Sequence, residues 1–196
     1  VHDLFSSVLP DAVIHAAASN PGSDEKEMDA INHIGAANIA AACATCGCRL
    51  VSVSSDVVHN GFDSPFADNA VSSALAGNQY GETKALGEQA IMRCYASAAI
   101  VRTSLIYGLE KMDRGTEGFV ARLNSNEPLK LFDDVLRQPV WVDALSRALC
   151  RLAFEFPQVS GTINVAGDEV ISRAEYGIRL LDYWGVDTRG ALPSGE

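Results

Sequence analysis

A tyrosine and a lysine four residues apart, Tyr80 and Lys84 in Y-G-E-T-K, have the types and spacing that acid–base chemistry needs. Positions i and i+4 lie on one face of a helix, and Gly87, Ile91 and Cys94 continue the same stripe. A free tyrosine has a pKa of about 10, and a nearby ammonium group favours its phenolate form. The spacing therefore predicts a phenol whose pKa is lowered by Lys84, so that it exchanges protons near neutral pH. The alternative is an exposed Tyr–Lys pair, because Y-x-x-x-K also recurs by chance on many helices.

Two serines at the end of a predicted strand offer a hydrogen-bond donor to the same reaction. The strand at 49–54 runs directly into Ser54-Ser55-Asp56. Ligands of a parallel sheet bind beyond the carboxyl ends of its strands, so a hydroxyl there and Tyr80 on the next helix can converge on one carbonyl group. We predict that Ser55 donates a hydrogen bond to the carbonyl oxygen and that Tyr80 supplies the proton. Turn capping is the alternative role for both serines.

Three cysteines, Cys43, Cys46 and Cys48, form C-x-x-C-x-C, a pattern that some metal and redox sites use. No second Cys/His pair stands at a spacing that would complete a tetrahedral zinc site. We therefore expect no metal and favour small buried residues where a helix ends and a strand begins. The five cysteines are an odd number without a secretory signal, which indicates free thiols in a reducing compartment.

Composition and charge exclude several classes of function. Apolar residues make up 47% and charged residues 20% of the chain, as in ordinary globular proteins. The net charge is −10 and the 15 Lys and Arg residues are scattered singly, which disfavours nucleic-acid binding. No apolar run approaches the roughly 20 residues of a membrane helix. We expect a cytoplasmic protein with neither a membrane nor a nucleic-acid partner.

Hydrophobic periodicity indicates a parallel sheet. Over the first two-thirds of the chain, short β-branched runs alternate with longer helical patterns. The predicted strands are 11–16, 49–54 and 98–103, and the predicted helices are 25–45, ended by Gly47, and 79–95. Strands and helices at this spacing form βαβ units, in which helices cover both faces of the sheet. The fold class predicted is therefore α/β, a Rossmann-type doubly wound parallel sheet.

A looser pattern follows Gly108 and indicates a smaller region. The predicted helices there are 118–124, 143–154 and 172–183, the last with Ser172 as its N-cap, and the predicted strands are 129–132, 140–142 and 161–166. We predict a larger domain over 1–108 and mainly a second, smaller region over 109–196.

A glycine-rich phosphate loop is absent from this sequence. A dinucleotide fold normally opens with a strand, a G-x-x-G-x-x-G or G-x-G-x-x-G loop, and a helix whose N-terminus holds the pyrophosphate. The chain instead starts in a predicted helix that precedes the strand at 11–16. We expect that an opening unit of roughly fifty residues is missing, at about 30 residues per βαβ unit. Weak cofactor binding by the chain alone is the consequence we expect.

Five sequence segments occur in a particular order, and the ordered set is more specific for a protein family than any one segment. They are H-A-A-A at 15–18, I-N-H-I-G-A-A-N at 31–38, V-S-S-D-V-V-H-N-G at 53–61, Y-G-E-T-K-A-L-G-E at 80–88 and V-R-T-S-L-I-Y-G at 101–108. Together they resemble the extended short-chain dehydrogenases/reductases, in particular the dTDP-4-dehydrorhamnose reductase family. Two later segments, R-Q-P-V-W-V-D at 137–143 and G-T-I-N-V-A-G-D-E-V-I-S-R at 161–173, resemble the same family, so the resemblance covers nearly the whole chain.

The resemblance implies a role for each matched residue. It makes 1–108 the remainder of an NAD(P)-binding domain and 109–196 mainly a substrate-binding region. The implied catalytic residues are Ser55, Tyr80 and Lys84. The implied contacts of the cofactor, NADPH or NADH, are Ala16, Ala17, Ala18, Ser54, Tyr80, Lys84, Thr103 and Ser104. The implied contacts of the substrate are Asp56, Arg102, Arg137, Gln138 and Pro139.

For two of these groups a structural role is the alternative. Tight strand packing would also explain the alanines at 16–18, and a surface ion pair would explain Arg102. The run S-D-V-V-H-N-G also departs from the family's frequent T-D-Y-V-F-D-G, because Val57 and His59 stand where aromatic residues do. We therefore expect a different pocket near the sugar, with His59 as an ordinary loop histidine or a ligand contact.

The activity implied by the resemblance is reduction of the C4 carbonyl of a nucleotide-linked 4-keto-6-deoxy sugar. Two alternatives stay open. One is a sugar-nucleotide epimerase or dehydratase that recycles a tightly held NAD. The other is a non-catalytic regulatory subunit of the same fold, as in the beta subunit of methionine adenosyltransferase. The long helices also leave a homodimer open.

Overall fold

Strands and helices alternate along the chain. The computed structural model describes residues 1–125, 127–189 and 191–194. The helices are α1 (His2–Val8), α2 (Glu25–Met28), α3 (Ala36–Cys46), α4 (Gln79–Cys94), α5 (Arg114–Asn124), α6 (Val142–Phe154) and α7 (Arg173–Tyr183). The strands are β1 (Ala12–His15), β2 (Arg49–Ser55), β3 (Ala99–Thr103), β4 (Ile106–Tyr107), β5 (Leu129–Phe132), β6 (Leu136–Arg137), β7 (Val140–Trp141), β8 (Gly161–Asn164), β9 (Ile171–Ser172) and β10 (Ala191–Ser194).

Four parallel strands form the main sheet, in the order β1-β2-β3-β8. All five residues of β3 are buried, and Leu50 and Val51 of β2 point to opposite faces yet are both fully buried. A strand buried at consecutive positions is covered on both faces, as in doubly wound folds. The predicted α/β class with a parallel sheet is thus confirmed.

The chain divides into two compact units. The larger unit comprises residues 1–103 and 146–165, and the smaller comprises 104–145 and the described residues from 166 onward. Residues 161–164 belong to the larger unit because β8 pairs with β3.

Small side chains build one core of the larger unit. Leu50 and Ile100 of the sheet form a buried cluster with Ala40, Cys43 and residues of α1 and α4. Alanine occupies several inward positions of α3, so this helix approaches the sheet closely. The helix ends at Gly47, whose φ of 71° is left-handed, as the sequence predicts.

The long helix predicted at 25–45 is interrupted. Asp24 caps its start by accepting hydrogen bonds from the N–H groups of Lys26 and Glu27, and α2 then passes into a π-helical segment, Asp29–Gly35. Such segments are rare and often lie at functional sites. The apolar periodicity of the sequence did not predict this π-helical segment. Its wider turn shifts the positions of the apolar residues on the helix face by only one residue.

Two helices of the smaller unit begin at side-chain caps. Helix α5 starts at Arg114, four residues before the predicted 118, because Asp113 accepts hydrogen bonds from the N–H groups of Gly115 and Thr116. Helix α7 starts as predicted, with Ser172 accepting from the Glu175 N–H.

The smaller unit contains three two-stranded sheets. Strands β10 and β5 are parallel, as are β4 and β7, whereas β6 and β9 are antiparallel. Its core contains Leu129 and Leu131 of β5 with Ala174 and Leu181 of α7. Among the described residues of both units, no helix is long and apolar enough to cross a bilayer.

Candidate active site

Ser55 is the last residue of β2 and caps the turn that follows it. Its Oγ accepts a hydrogen bond from the Val57 N–H at 3.5 Å, at the start of the 3-10 turn Asp56–Val58. Ser55 therefore caps this turn, which is the alternative role that its position in the sequence suggested. The residue is only half-buried, and its hydroxyl donates to the Asp56 carboxylate at 3.3 Å.

The first turn of α4 packs directly against this turn. A Cβ at Gly81 would lie 2.4 Å from the Val57 carbonyl oxygen, so only glycine permits the approach. The Asn78 side chain fixes the start of the helix by accepting from the Gly81 N–H at 3.1 Å. These two contacts place Tyr80 beside the carboxyl end of β2.

Lys84 lies one turn further along α4 and is buried. Its Nζ donates a hydrogen bond to the Val53 carbonyl at 2.8 Å, two residues before Ser55. Burial lowers the pKa of Lys84, and the Glu88 carboxylate opposes that shift. The lysine thus attaches the middle of α4 to the end of β2.

The pKa of Tyr80 shifts in the direction opposite to the one that the sequence predicted. Burial, and next the Asp56 carboxylate, raise the pKa of the phenol, whereas the Tyr–Lys spacing predicted a lowered one. The acting charge is Asp56, from a turn distant in sequence, while the Lys84 ammonium bonds a backbone carbonyl. At neutral pH the phenol keeps its proton, which suits a proton donor.

A small polar cavity of about 10 Å³ lies behind Lys84, with His15, Ser52 and Glu88 among its lining residues. That volume is about the size that one water molecule needs. Burial, and next the Lys84 ammonium, lower the pKa of His15.

A buried ion pair joins α4 to β3. Arg102 donates from Nε and Nη2 to the two carboxylate oxygens of Glu88, at 3.0 and 2.7 Å. Ser54 Oγ donates to the same carboxylate at 2.6 Å, and Arg102 Nη1 donates to the Ala70 carbonyl at 2.7 Å. The side chains of Arg102 and Glu88 are 3% and 5% exposed. Arg102 thus forms an ion pair, as its alternative role proposed, but inside the protein and not on the surface.

His59 extends this buried network. Its Nε2 accepts from Arg102 Nη1 at 3.2 Å, and its ring stacks on Phe66 with the centroids 4.1 Å apart. Burial, and next the Arg102 charge, lower the pKa of His59. His59 therefore lies in the loop after the 3-10 turn, as expected, but its side chain is buried and bonded within the protein.

Asn32, in the π-helical segment, was not identified from its sequence. Its side chain accepts from the Ser19 N–H at 2.8 Å and donates to the Ser19 carbonyl and to Thr83 Oγ1 at 3.1 and 3.2 Å. A Cβ at Gly87 would lie 2.2 Å from the Asn32 carbonyl oxygen. Asn32 thus fastens α4 to the loop after β1. An asparagine among the apolar positions of a helix was the available signal.

The residues expected to face the cofactor follow the ends of β1 and β3. Ala16 and Ala17 are exposed, so tight strand packing does not account for their size. Thr103, at the end of β3, is buried, and its Oγ1 has no hydrogen-bond partner among the described residues. Exposed small side chains, an orphan hydroxyl and Lys84 at the carboxyl edge fit the nicotinamide and ribose part of a dinucleotide.

The remaining predicted residues lie in the smaller unit. Ser104 Oγ accepts from the Gln138 N–H at 3.3 Å, and Gln138 Nε2 donates to the Gly167 carbonyl at 3.1 Å. A Cβ at Gly167 would lie 2.0 Å from the Pro139 carbonyl oxygen, so glycine is needed there. Ser104, Gln138 and Pro139 are therefore neighbours within this unit, and Arg137 precedes them on β6.

The parallel sheet with its flanking helices is that of Rossmann-type dehydrogenases and reductases. Residues 1–194 match the family model of the RmlD substrate binding domain, and the chain belongs to that family. The resemblance drawn from the sequence motifs is confirmed.

The chain is similar to curated proteins that include a subunit beta and a reductase. The chain is 29% identical to methionine adenosyltransferase 2 subunit beta of Rattus norvegicus, over 98% of the chain and 60% of that protein. It is 34% identical to dTDP-4-keto-6-deoxy-D-glucose reductase of Streptomyces niveus, over 62% of the chain and 42% of that protein. The chain thus spans about 60% of the length of the subunit-beta relative.

A solved structure has the same fold. The dTDP-4-dehydrorhamnose reductase of Bacillus anthracis str. Ames, in complex with NADP, is 26% identical with a TM-score of 0.80. The match covers 100% of this chain and 69% of that chain.

Proposed function

We propose that the protein is an NAD(P)H-dependent reductase of a nucleotide-activated 4-keto-6-deoxy sugar. The observation that carries the proposal is the attachment of α4 to the carboxyl end of β2. The Gly81–Val57 approach and the Lys84–Val53 hydrogen bond hold Tyr80 and Lys84 near Ser55. The Streptomyces niveus and Bacillus anthracis relatives, both named as reductases of this sugar type, support the substrate class.

Ser55, Tyr80 and Lys84 have separate roles at the C4 carbonyl. Ser55 donates a hydrogen bond to the carbonyl oxygen and polarises it. Tyr80, whose raised pKa preserves its proton, transfers that proton to the same oxygen. The Lys84 ammonium contributes positive charge beside the developing oxyanion. When bound, NAD(P)H supplies the hydride.

We assign the binding residues as the family resemblance implies. Ala16, Ala17 and Ala18, with Lys84, Thr103 and Ser104, would hold the cofactor, and Asp56, Arg137, Gln138 and Pro139 would contact the sugar nucleotide. We assign Ser54 and Arg102 a positioning role, because both side chains are bonded to Glu88 inside the protein.

Replacing Tyr80 by phenylalanine tests the proposal. With a dTDP-4-keto-6-deoxy sugar and NADPH, Tyr80→Phe should lower kcat by roughly 10²- to 10⁴-fold, because the proton donor is lost. Tyr183→Phe is the matched control, since its hydroxyl donates only to the Leu109 carbonyl in an exposed position. NADPH absorbance reports turnover, and near-normal turnover by Tyr80→Phe would refute the assignment. Product formed without net NADPH consumption would indicate an epimerase or dehydratase.

A second candidate is a regulatory subunit without catalysis. The similarity to methionine adenosyltransferase 2 subunit beta extends over 98% of the chain and favours it. Co-purification with a methionine adenosyltransferase catalytic subunit in fixed stoichiometry, with no turnover of any keto-sugar nucleotide, would establish this function. Turnover that depends on Tyr80 would exclude it as the sole role.

A further inference from the structure

Three thiols meet where α3 ends and β2 begins, away from the residues described above. Cys43 and Cys46 lie in the last turn of α3, and Cys48 directly precedes β2. The left-handed Gly47, with φ 71°, reverses the chain between them. As a result, Cys46 Sγ lies 3.1 Å from Cys48 Sγ, within a thiol hydrogen bond.

The two thiols of this close pair differ in access. Cys46 is exposed, whereas Cys48 is buried in the core of the larger unit together with Cys43. Cys94 and Cys150 are also exposed, but neither makes a thiol–thiol hydrogen bond within the described residues. Cys46 therefore combines solvent access with a neighbouring thiol.

The arrangement favours sulfur chemistry over metal binding. Within the described part of the chain, no three His, Cys, Asp or Glu side chains are grouped so that they could hold a metal ion. A disulfide needs an S–S distance of about 2.05 Å, so closing the Cys46–Cys48 gap from 3.1 Å requires a movement of about 1 Å. Rotation of the two cysteine side chains about their Cα–Cβ bonds can supply a movement of that size.

We propose that Cys46 and Cys48 form a reversible oxidation site that takes a hydroperoxide as its oxidant and closes to a disulfide. The Cys46 thiolate attacks one oxygen of hydrogen peroxide, the O–O bond breaks, and the leaving hydroxide takes a proton from the solvent, so that the products are a sulfenic acid and water. The Cys48 sulfur then attacks the Cys46 sulfenic sulfur, forming the S–S bond and releasing the second water. Both thiols are oxidised and one peroxide is reduced.

The geometry indicates which of the two sulfurs reacts first. Of these two cysteines, Cys46 is exposed to a dissolved peroxide, whereas the buried Cys48 reacts within the protein. Burial, and next its hydrogen bonds with the neighbouring thiols, raise the pKa of Cys48, so it remains a protonated thiol until a sulfenic acid forms beside it. A ring closed over only three residues, 46–48, is strained, which makes such a disulfide easy to reduce.

Mass spectrometry after peroxide treatment tests the site directly. The folded protein is treated with hydrogen peroxide, denatured in N-ethylmaleimide and cut with trypsin, which releases residues 27–49 with all three cysteines on one peptide. We expect this peptide to carry one N-ethylmaleimide group instead of three and to lack the two thiol hydrogen atoms, with fragments that show Cys43 alkylated and Cys46 linked to Cys48. Dithiothreitol treatment before alkylation should restore three alkylated thiols.

Two variants separate the roles of the sulfurs. Cys48→Ala should abolish the disulfide and leave a Cys46 sulfenic acid that dimedone traps, whereas Cys94→Ser should oxidise like the unaltered protein. Three unmodified thiols in the 27–49 peptide, at a peroxide dose that oxidises Cys94 and Cys150, would overturn the proposal. A Cys43–Cys48 linkage would overturn it as well. Because the readout on the unaltered protein needs neither turnover nor a variant, it is independent of the proposed reductase activity.

Discussion

The candidate active-site residues depend on a charged pair that lies inside the protein. Glu88 is one helical turn beyond Lys84 on α4, so both lie on the same face of the helix. Its carboxylate binds Arg102 of β3 and the Ser54 hydroxyl, which is adjacent to Ser55. This one carboxylate therefore fixes the helix that bears Tyr80 relative to two strands of the sheet.

Breaking this pair should destabilise the protein strongly. Glu88→Gln leaves the Arg102 charge buried without its partner, and we expect the free energy of unfolding to fall by about 3–5 kcal/mol. Glu155→Gln is the control, because Glu155 pairs with Arg151 at 2.9 Å with both side chains 58% exposed, where a loss of at most about 1 kcal/mol is expected. Urea unfolding of both variants measures the difference, and equal losses would contradict the buried pair.

Among the helices and strands, α4 depends on two glycines for its position. Gly81 brings the helix against the Val57 carbonyl, and Gly87 brings it against the Asn32 carbonyl of the π-helical segment. Both approaches involve backbone atoms, which cannot move aside as a flexible side chain can. The helix is thus held close to the end of β2 at one glycine and to the preceding helix at the other.

Placing an alanine side chain at one of these close backbone contacts should lower the free energy of unfolding, even though alanine favours helices. Gly87→Ala gains about 1 kcal/mol in helix propensity but forces a Cβ to within 2.2 Å of the Asn32 carbonyl oxygen. We expect a net loss of about 1–3 kcal/mol, as for overpacked cores.

Helix α5 provides the matched control for this substitution. A Cβ at Gly118 would meet no atom within 4 Å, so Gly118→Ala should stabilise the protein by up to about 1 kcal/mol. Urea denaturation followed by circular dichroism measures both changes. Stabilisation by both substitutions would show that α4 does not approach the Asn32 backbone so closely.

For the molecule as a whole, two histidines, the partly buried His15 and the buried His59, link folding to pH. His15 faces the Lys84 ammonium, and His59 contacts Arg102 with Glu88 and Asp56 nearby. Burial lowers the pKa of both below the ordinary value of 6.5. The unfolded chain therefore binds protons in a pH range where the folded protein does not.

The free energy of unfolding should consequently fall as the pH decreases below about 6.5, because protons stabilise the unfolded state. Above that pH both histidines are neutral in both states and contribute no slope. A His15→Gln, His59→Gln double variant should show a smaller slope between pH 6.5 and the onset of carboxylate titration, whereas His33→Gln serves as a control on a partly exposed histidine. Unfolding curves at several pH values measure the slopes, and identical slopes in all three proteins would contradict the assignment.

Local signals in the sequence determined the elements and the family. Apolar periodicity predicted the strands that became β1, β2 and β3, Gly47 predicted the end of α3, and Ser172 predicted the start of α7. The ordered motifs identified the RmlD family. These properties follow from a few neighbouring residues, so they can be predicted without the packing of distant segments. The catalytic roles of Ser55, Tyr80 and Lys84 remain predictions.

Tertiary structure alone decided the environment of the candidate site. The Tyr80 pKa is raised because Asp56 and burial act on it, the Arg102 charge is enclosed because Glu88 meets it, and Asn32 joins α4 to the loop after β1. Each of these effects depends on groups that are far apart in the sequence and meet only in the folded chain. Electrostatic and desolvation energies depend on distance and burial in space, so residue types and their spacing along the chain could not predict them.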